Sequence, residues 1–76
     1  MQANEIKALL EANIADSQAE VNIEGSHVNV VVVSPVFESL NAVKKQQLVY
    51  GVLSEHIASG VIHAVNMQTL TPAEAG

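Results

Sequence analysis

The run Glu20-Val21-Asn22-Ile23-Glu24-Gly25-Ser26-His27-Val28-Asn29-Val30-Val31-Val32-Val33 decides the fold. Glu20 to Glu24 alternate polar and apolar, as a half-buried strand does when successive side chains point to opposite faces. Gly25-Ser26 supplies a turn, because Gly accepts positive φ without steric cost. His27 to Val33 is rich in β-branched residues and suits a central strand covered on at least part of both faces. The two segments predict an antiparallel hairpin.

Downstream, Ser34-Pro35 ends the second strand, since Pro cannot continue the ladder. Val36 to Leu40 reads as a short helical turn. Asn41 is a credible cap for a long helix from Ala42 to about Ala58, with Val43, Gln46, Val49, Tyr50, Leu53 and Ile57 near one face. On this count Leu48 and Val52 fall off the stripe, either as exposed apolar spots or covered by the first helix. Ser59-Gly60 closes the helix, with Gly60 in the left-handed stop position. Val61 to Gln68 reads as the last strand. Alternation puts His63, Val65 and Met67 on one face, and Ile62, Ala64, Asn66 and Gln68 on the other. Thr71-Pro72 opens a further short helix, with Thr71 as cap.

Upstream, a helix begins at Asn4, which can cap. Glu5 suits the positive helix end, and Ile6, Leu9, Leu10 and Ile14 form one apolar stripe. Asp16-Ser17 reads as the exit. The order is therefore α-β-β-α-β, an α/β (α+β) fold. It predicts a three-stranded mixed sheet with the helices packed on one face.

Composition narrows the function. The chain has 76 residues, enough for one domain and one modest core. It contains no cysteine, which removes disulfides, thiolate zinc sites and Cys nucleophiles. Any iron–sulfur cluster would have to draw its sulfur ligands from another molecule. The formal net charge is −5, and Lys7, Lys44 and Lys45 are its only lysines or arginines. That balance is a poor footprint for nucleic acid. Met1 to Asn4 lacks the basic and apolar regions of an export signal, and no apolar run is long enough to span a bilayer. The expectation is a cytoplasmic protein that does not engage membranes.

No phosphate-binding loop, metalloprotease motif or nucleophile elbow is present, so the expectation is not an enzyme. Glu20 and Glu24 read as a solvated strand face. His56 lies inside the long helix and reads as solvent-facing. His27 enters the second strand from an exposed turn. His63 follows the Gly60 stop. On an apolar parity it reads first as a core-edge residue bonded to backbone, and second as a neutral imidazole available to iron, zinc or copper. Lys44 and Lys45 sit in the first helical turn, where positive charge opposes the helix dipole. They read as a solubilising face or as a contact for phosphate or an acidic partner.

Taken together, Gly25-Ser26-His27, Phe37, Val43-Lys44-Lys45-Gln46-Gln47-Leu48-Val49-Tyr50, and Ile62-His63-Ala64-Val65 followed by Thr71-Pro72-Ala73-Glu74 resemble the BolA family. The match is closest to its bacterial IbaG-like (YrbA) branch and runs in order over nearly the whole chain. The resemblance implies a single BolA-like domain over residues 1–76, with a fold similar to the class II KH domain. It implies a regulator of iron homeostasis that partners a monothiol glutaredoxin. The pair would share a bridging [2Fe–2S] cluster, with glutaredoxin and glutathione supplying sulfur. The family's C-terminal histidine falls on His63, and its loop ligand falls on His27. The resemblance also offers an alternative, a DNA-binding transcriptional regulator of the stress response, with Lys44, Lys45 and Tyr50 at the contact. Ala42 stands where relatives often carry Arg, and Glu74-Ala75 replaces a common Glu-Trp. The branch is linked to acid stress. A homodimer is open, with no motif to specify it.

Overall fold

A computed structural model describes residues 2–76; Met1, where the reading for an export signal begins, lies outside the described residues. The elements run α1 (Ala3–Asn13), β1 (Gln18–Glu24), β2 (His27–Val33), a 3-10 turn (Pro35–Ser39), α2 (Ala42–Ala58), β3 (Ala64–Leu70) and α3 (Pro72–Ala75). The sheet order is β1-β2-β3, with β2 central. β1 and β2 are antiparallel, with Glu24 opposite His27; β2 and β3 are parallel, with His27 opposite Ala64 and Val33 opposite Leu70. The expected mixed α+β sheet is therefore present.

Register sorts the side chains into two faces. Ala19, Val28, Val30 and Val32 are buried beneath the helices, joined by Ile6 and Leu10 of α1, Ile14 after it, Phe37, and Val49 and Leu53 of α2. The opposite face carries four rows: Glu24–His27–Ala64, Asn22–Asn29–Asn66, Glu20–Val31–Gln68 and Gln18–Val33–Leu70. Asn66 donates to the Asn29 side chain at 3.0 Å.

The expected caps hold at two of three helices. Asn41 accepts from the Lys44 N–H at 2.9 Å. Thr71 and Glu74 form a reciprocal capping box. The Asn4 cap does not hold, because α1 starts at Ala3 and its N-cap, Gln2, makes no side-chain capping bond. Gly60 adopts φ +83°, the left-handed stop that ends α2.

Five further expectations need correction. The buried stripe of α2 is Val49 and Leu53, flanked by Leu48, Val52 and Ile57. Gln46 is exposed, and Val43 and Tyr50 are 61% and 42% exposed. The helix is rotated so that positions 45, 48, 49, 52, 53, 56 and 57 face the core, an ordinary i, i+3, i+4 ladder. His56 is accordingly half-buried, not solvent-facing. β3 begins at Ala64, three residues later than Val61 and ending at Leu70. Ile62, expected on the outer face, is 1% exposed and belongs to the core. His63, expected to share the apolar face of Val65, is exposed. The cause is the chain leaving Gly60: it is not yet extended, so strand alternation does not apply before Ala64.

Candidate functional site

Two turns build the site. Gly25, at φ +62°, closes the hairpin and delivers His27 as the first residue of the central strand. The left-handed Gly60 reverses the chain after α2, and Ile62 then drops into the core. The linking segment is held at both ends. The Ile62 N–H donates to the His56 carbonyl at 3.1 Å, and the His63 N–H donates to the Ser26 carbonyl at 2.9 Å.

This brings both sequence-predicted histidines to one end of the sheet. His27 lies opposite Ala64, the residue after His63, and His63 is backbone-bonded to Ser26, the residue before His27. Both imidazoles are exposed. A groove of about 260 Å³ runs beside His63, lined by Tyr50, Ile57, Ile62, His63, Ala64 and Val65. Among the described residues, no group of three or more His, Cys, Asp or Glu side chains gathers to hold a metal. The chain therefore offers two accessible imidazoles, of which His63 lines an apolar-walled groove. Glu24, directly across from His27, is the nearest carboxylate by register.

The residues proposed for phosphate or partner contact divide. Tyr50 belongs to the His63 groove. Lys44 and Lys45 sit about one and a half turns earlier on α2. Lys44 is exposed, while Lys45 is half-buried and exerts a weak pull on Glu74. The Glu74 carboxyl is held below its usual range mainly by the Thr71 N–H, then by the Thr71 hydroxyl. No continuous basic surface results. Glu20 and Glu24 are exposed on the open sheet face, as read.

Sequence reading missed the roles of Ile57 and Ile62 as groove wall and floor. Spacing from Gly60 was the available signal, since a chain two residues past a left-handed stop has not yet settled into a strand. A wider concavity of about 400 Å³ crosses the open sheet face over Asn22, Asn29 and Asn66. It contains no imidazole, whereas the smaller groove includes His63. Among the described residues, no helix is long and apolar enough to cross a membrane.

Comparison with known proteins follows this geometry. The family model for BolA-like proteins matches residues 4–74. The acid stress protein IbaG of Escherichia coli K12 is 43% identical over 74 residues, covering 97% of this chain and 88% of that protein. A BolA homologue from Coxiella burnetii superposes with a TM-score of 0.84 at 33% identity, covering 99% of this chain and 96% of that one. The BolA domain of SufE1 from Arabidopsis thaliana gives a TM-score of 0.83 at 29% identity, with 95% and 93% covered.

Proposed function

The chain belongs to the BolA-like family, and from that premise we propose that it is an adaptor in iron homeostasis, docking a monothiol glutaredoxin and lending an imidazole to a shared [2Fe–2S] cluster. One observation carries the reading: His63 and His27 stand exposed at the same end of the sheet, on backbone fixed by the Ser26–His63 hydrogen bond.

The residues fit such a group. Cluster irons take thiolate or imidazole ligands. This chain offers imidazole and has no thiolate. Glutaredoxin and glutathione would provide the sulfur, and the bound cluster would supply iron–sulfur storage and transfer chemistry. His63 is the first ligand, with His27 as the second candidate. Ligation needs a neutral imidazole with a free ring nitrogen. The burial of Ile62 sets where the His63 backbone lies. Tyr50, Ile57 and Val65 form a wall that a partner can cover, excluding water from the ligand.

Acid stress, the role carried in the name of the E. coli relative, accords with imidazole ligation. Protonation removes the donor lone pair, so a shared site weakens as pH falls. The test is anaerobic co-purification with a monothiol glutaredoxin and glutathione, read by visible absorption and circular dichroism. A wild-type complex has a spectrum distinct from glutaredoxin alone, and His63→Ala alters it. An identical spectrum for wild type and His63→Ala contradicts the ligand role.

A further inference from the structure

The two edges of the sheet are treated differently. β1 is guarded. Lys7 reaches from α1 to the Ala19 carbonyl at 2.7 Å, and Glu11 accepts from the Ala19 N–H at 3.0 Å. Glu20 and Glu24 add charge along that strand. Such devices keep an edge from pairing with another chain. β3, the other edge, has none of them. Its seven residues, Ala64-Val65-Asn66-Met67-Gln68-Thr69-Leu70, carry no charge and no proline. Among the described residues no side chain bonds to its backbone, and its paired neighbour is β2 alone.

The direction of its peptide groups follows from one bond. The Leu70 carbonyl accepts from the Ser34 N–H on the β2 side at 3.0 Å. Alternation along the strand then turns the N–H and C=O groups of Val65, Met67 and Thr69 outward. The same strand is a near-palindrome about Met67. Asn66 and Gln68 flank it as amide homologues, and Val65 and Thr69 follow as β-branched residues of similar shape.

We infer that the β3 edge pairs antiparallel with β3 of a second copy, about a two-fold axis at Met67, giving a continuous six-stranded sheet. Met67 then exchanges both backbone bonds with the partner's Met67, and Val65 does so with the partner's Thr69. Asn66 meets the partner's Gln68 on the open face, amide to amide, and extends the Asn22–Asn29–Asn66 row across the axis. Val65 meets the partner's Thr69 on the helix side. A two-fold interface demands such self-complementarity, and the palindrome supplies it. An uncharged strand also brings no like charges face to face, despite the net charge of −5 on each copy.

One strand pair buries less than a standard interface, so association is weak and concentration-dependent. Sedimentation velocity from about 10 μM to about 1 mM should show a monomer–dimer equilibrium in that range. The variant Asn66→Lys/Gln68→Lys sets two lysine pairs opposite each other and should weaken association about tenfold. Its acidic counterpart, Asn66→Glu/Gln68→Glu, should do the same alone. Mixing the two variants should restore a dimer. Both sites are exposed, and an unchanged amide spectrum outside β3 confirms the fold. A chain that stays monomeric throughout, or a dimer that neither variant weakens, overturns the assignment. Dimer formation without recovery in the mixed sample does so as well, since it places the contact elsewhere.

Discussion

Truncating Ile62 tests the geometry on which the histidine site rests. Ile62 is 1% exposed and Val61 is 43% exposed. A regular strand from Val61 would put Ile62 on the open face, and the observed turn puts it in the core. Burying an Ile side chain contributes about 1.5–3 kcal/mol by transfer alone, and the cavity left by Ala raises the loss to about 2–5 kcal/mol. A chain of this size has a total stability of roughly 4–11 kcal/mol. Ile62→Ala therefore removes a large share of it. Val61→Ala should cost within about 0.5 kcal/mol, as surface changes do. Urea unfolding followed by far-ultraviolet circular dichroism separates the two. With a slope near 1 kcal/mol/M, Ile62→Ala shifts the midpoint by about 2 M or more, and Val61→Ala by about 0.5 M or less. Ile62→Val, at about 0.5–1.5 kcal/mol, keeps the chain folded and confirms the trend. Equal costs at positions 61 and 62, or the reverse order, would refute the turn and the placement of His63 derived from it.

Other expectations follow from the same contacts. The Glu11 carboxyl is held below its usual value by the Lys7 hydrogen bond first, then by the Ala19 N–H. Glu74 is lowered by Thr71. The folded state thus binds fewer protons at both groups than the unfolded state. Their contribution is full above the ordinary carboxylate pKa and is lost as pH falls through the lowered folded values. Glu11→Gln should flatten the acid limb of a plot of melting temperature against pH, and a parallel limb would count against the clamp. Ser34 is fully buried, donates to the Ala15 carbonyl at 2.6 Å and accepts from the Val36 N–H at 3.2 Å. Ser34→Ala should cost about 1–3 kcal/mol, lowering the melting temperature by at least about 4 °C; a change under about 1 °C would show those bonds to be idle. For duplex DNA, among the described residues only the Lys44–Lys45 pair is placed to release counterions. The slope of log K against log salt should then not exceed about 2 in magnitude, and a slope near 5 would reveal a basic surface absent from this fold.

The parts of the fold written in local chemistry were legible from the sequence. Gly25, Asn41, Gly60 and Thr71 each require a particular backbone state or capping bond, and each stands where expected. The β-branched run to Val33 named the central strand because only that strand is flanked on both edges. The rotation of α2 was not legible. Val43 and Tyr50 carry large apolar surface as Leu48 and Val52 do, and only packing against α1 and the sheet decides which pair faces inward. The start of β3 failed for a related reason: alternation was counted from Val61, whereas the chain becomes extended only at Ala64. The exposure of His63 and its bond to Ser26 depend on a turn that residue types alone do not set. The family resemblance groups Tyr50 with the lysines, whereas in the fold it lines the groove of His63.

The central claim is that this chain supplies an imidazole, through His63, to a cluster shared with a glutaredoxin. The most direct measurement labels this chain alone with ¹⁵N-histidine, assembles it anaerobically with unlabelled glutaredoxin and glutathione, and reduces the cluster. Electron–nuclear double resonance should then detect ¹⁵N coupling that persists in His27→Ala and disappears in His63→Ala. A reduced cluster with no ¹⁵N coupling, or one whose coupling survives His63→Ala unchanged, would contradict the account.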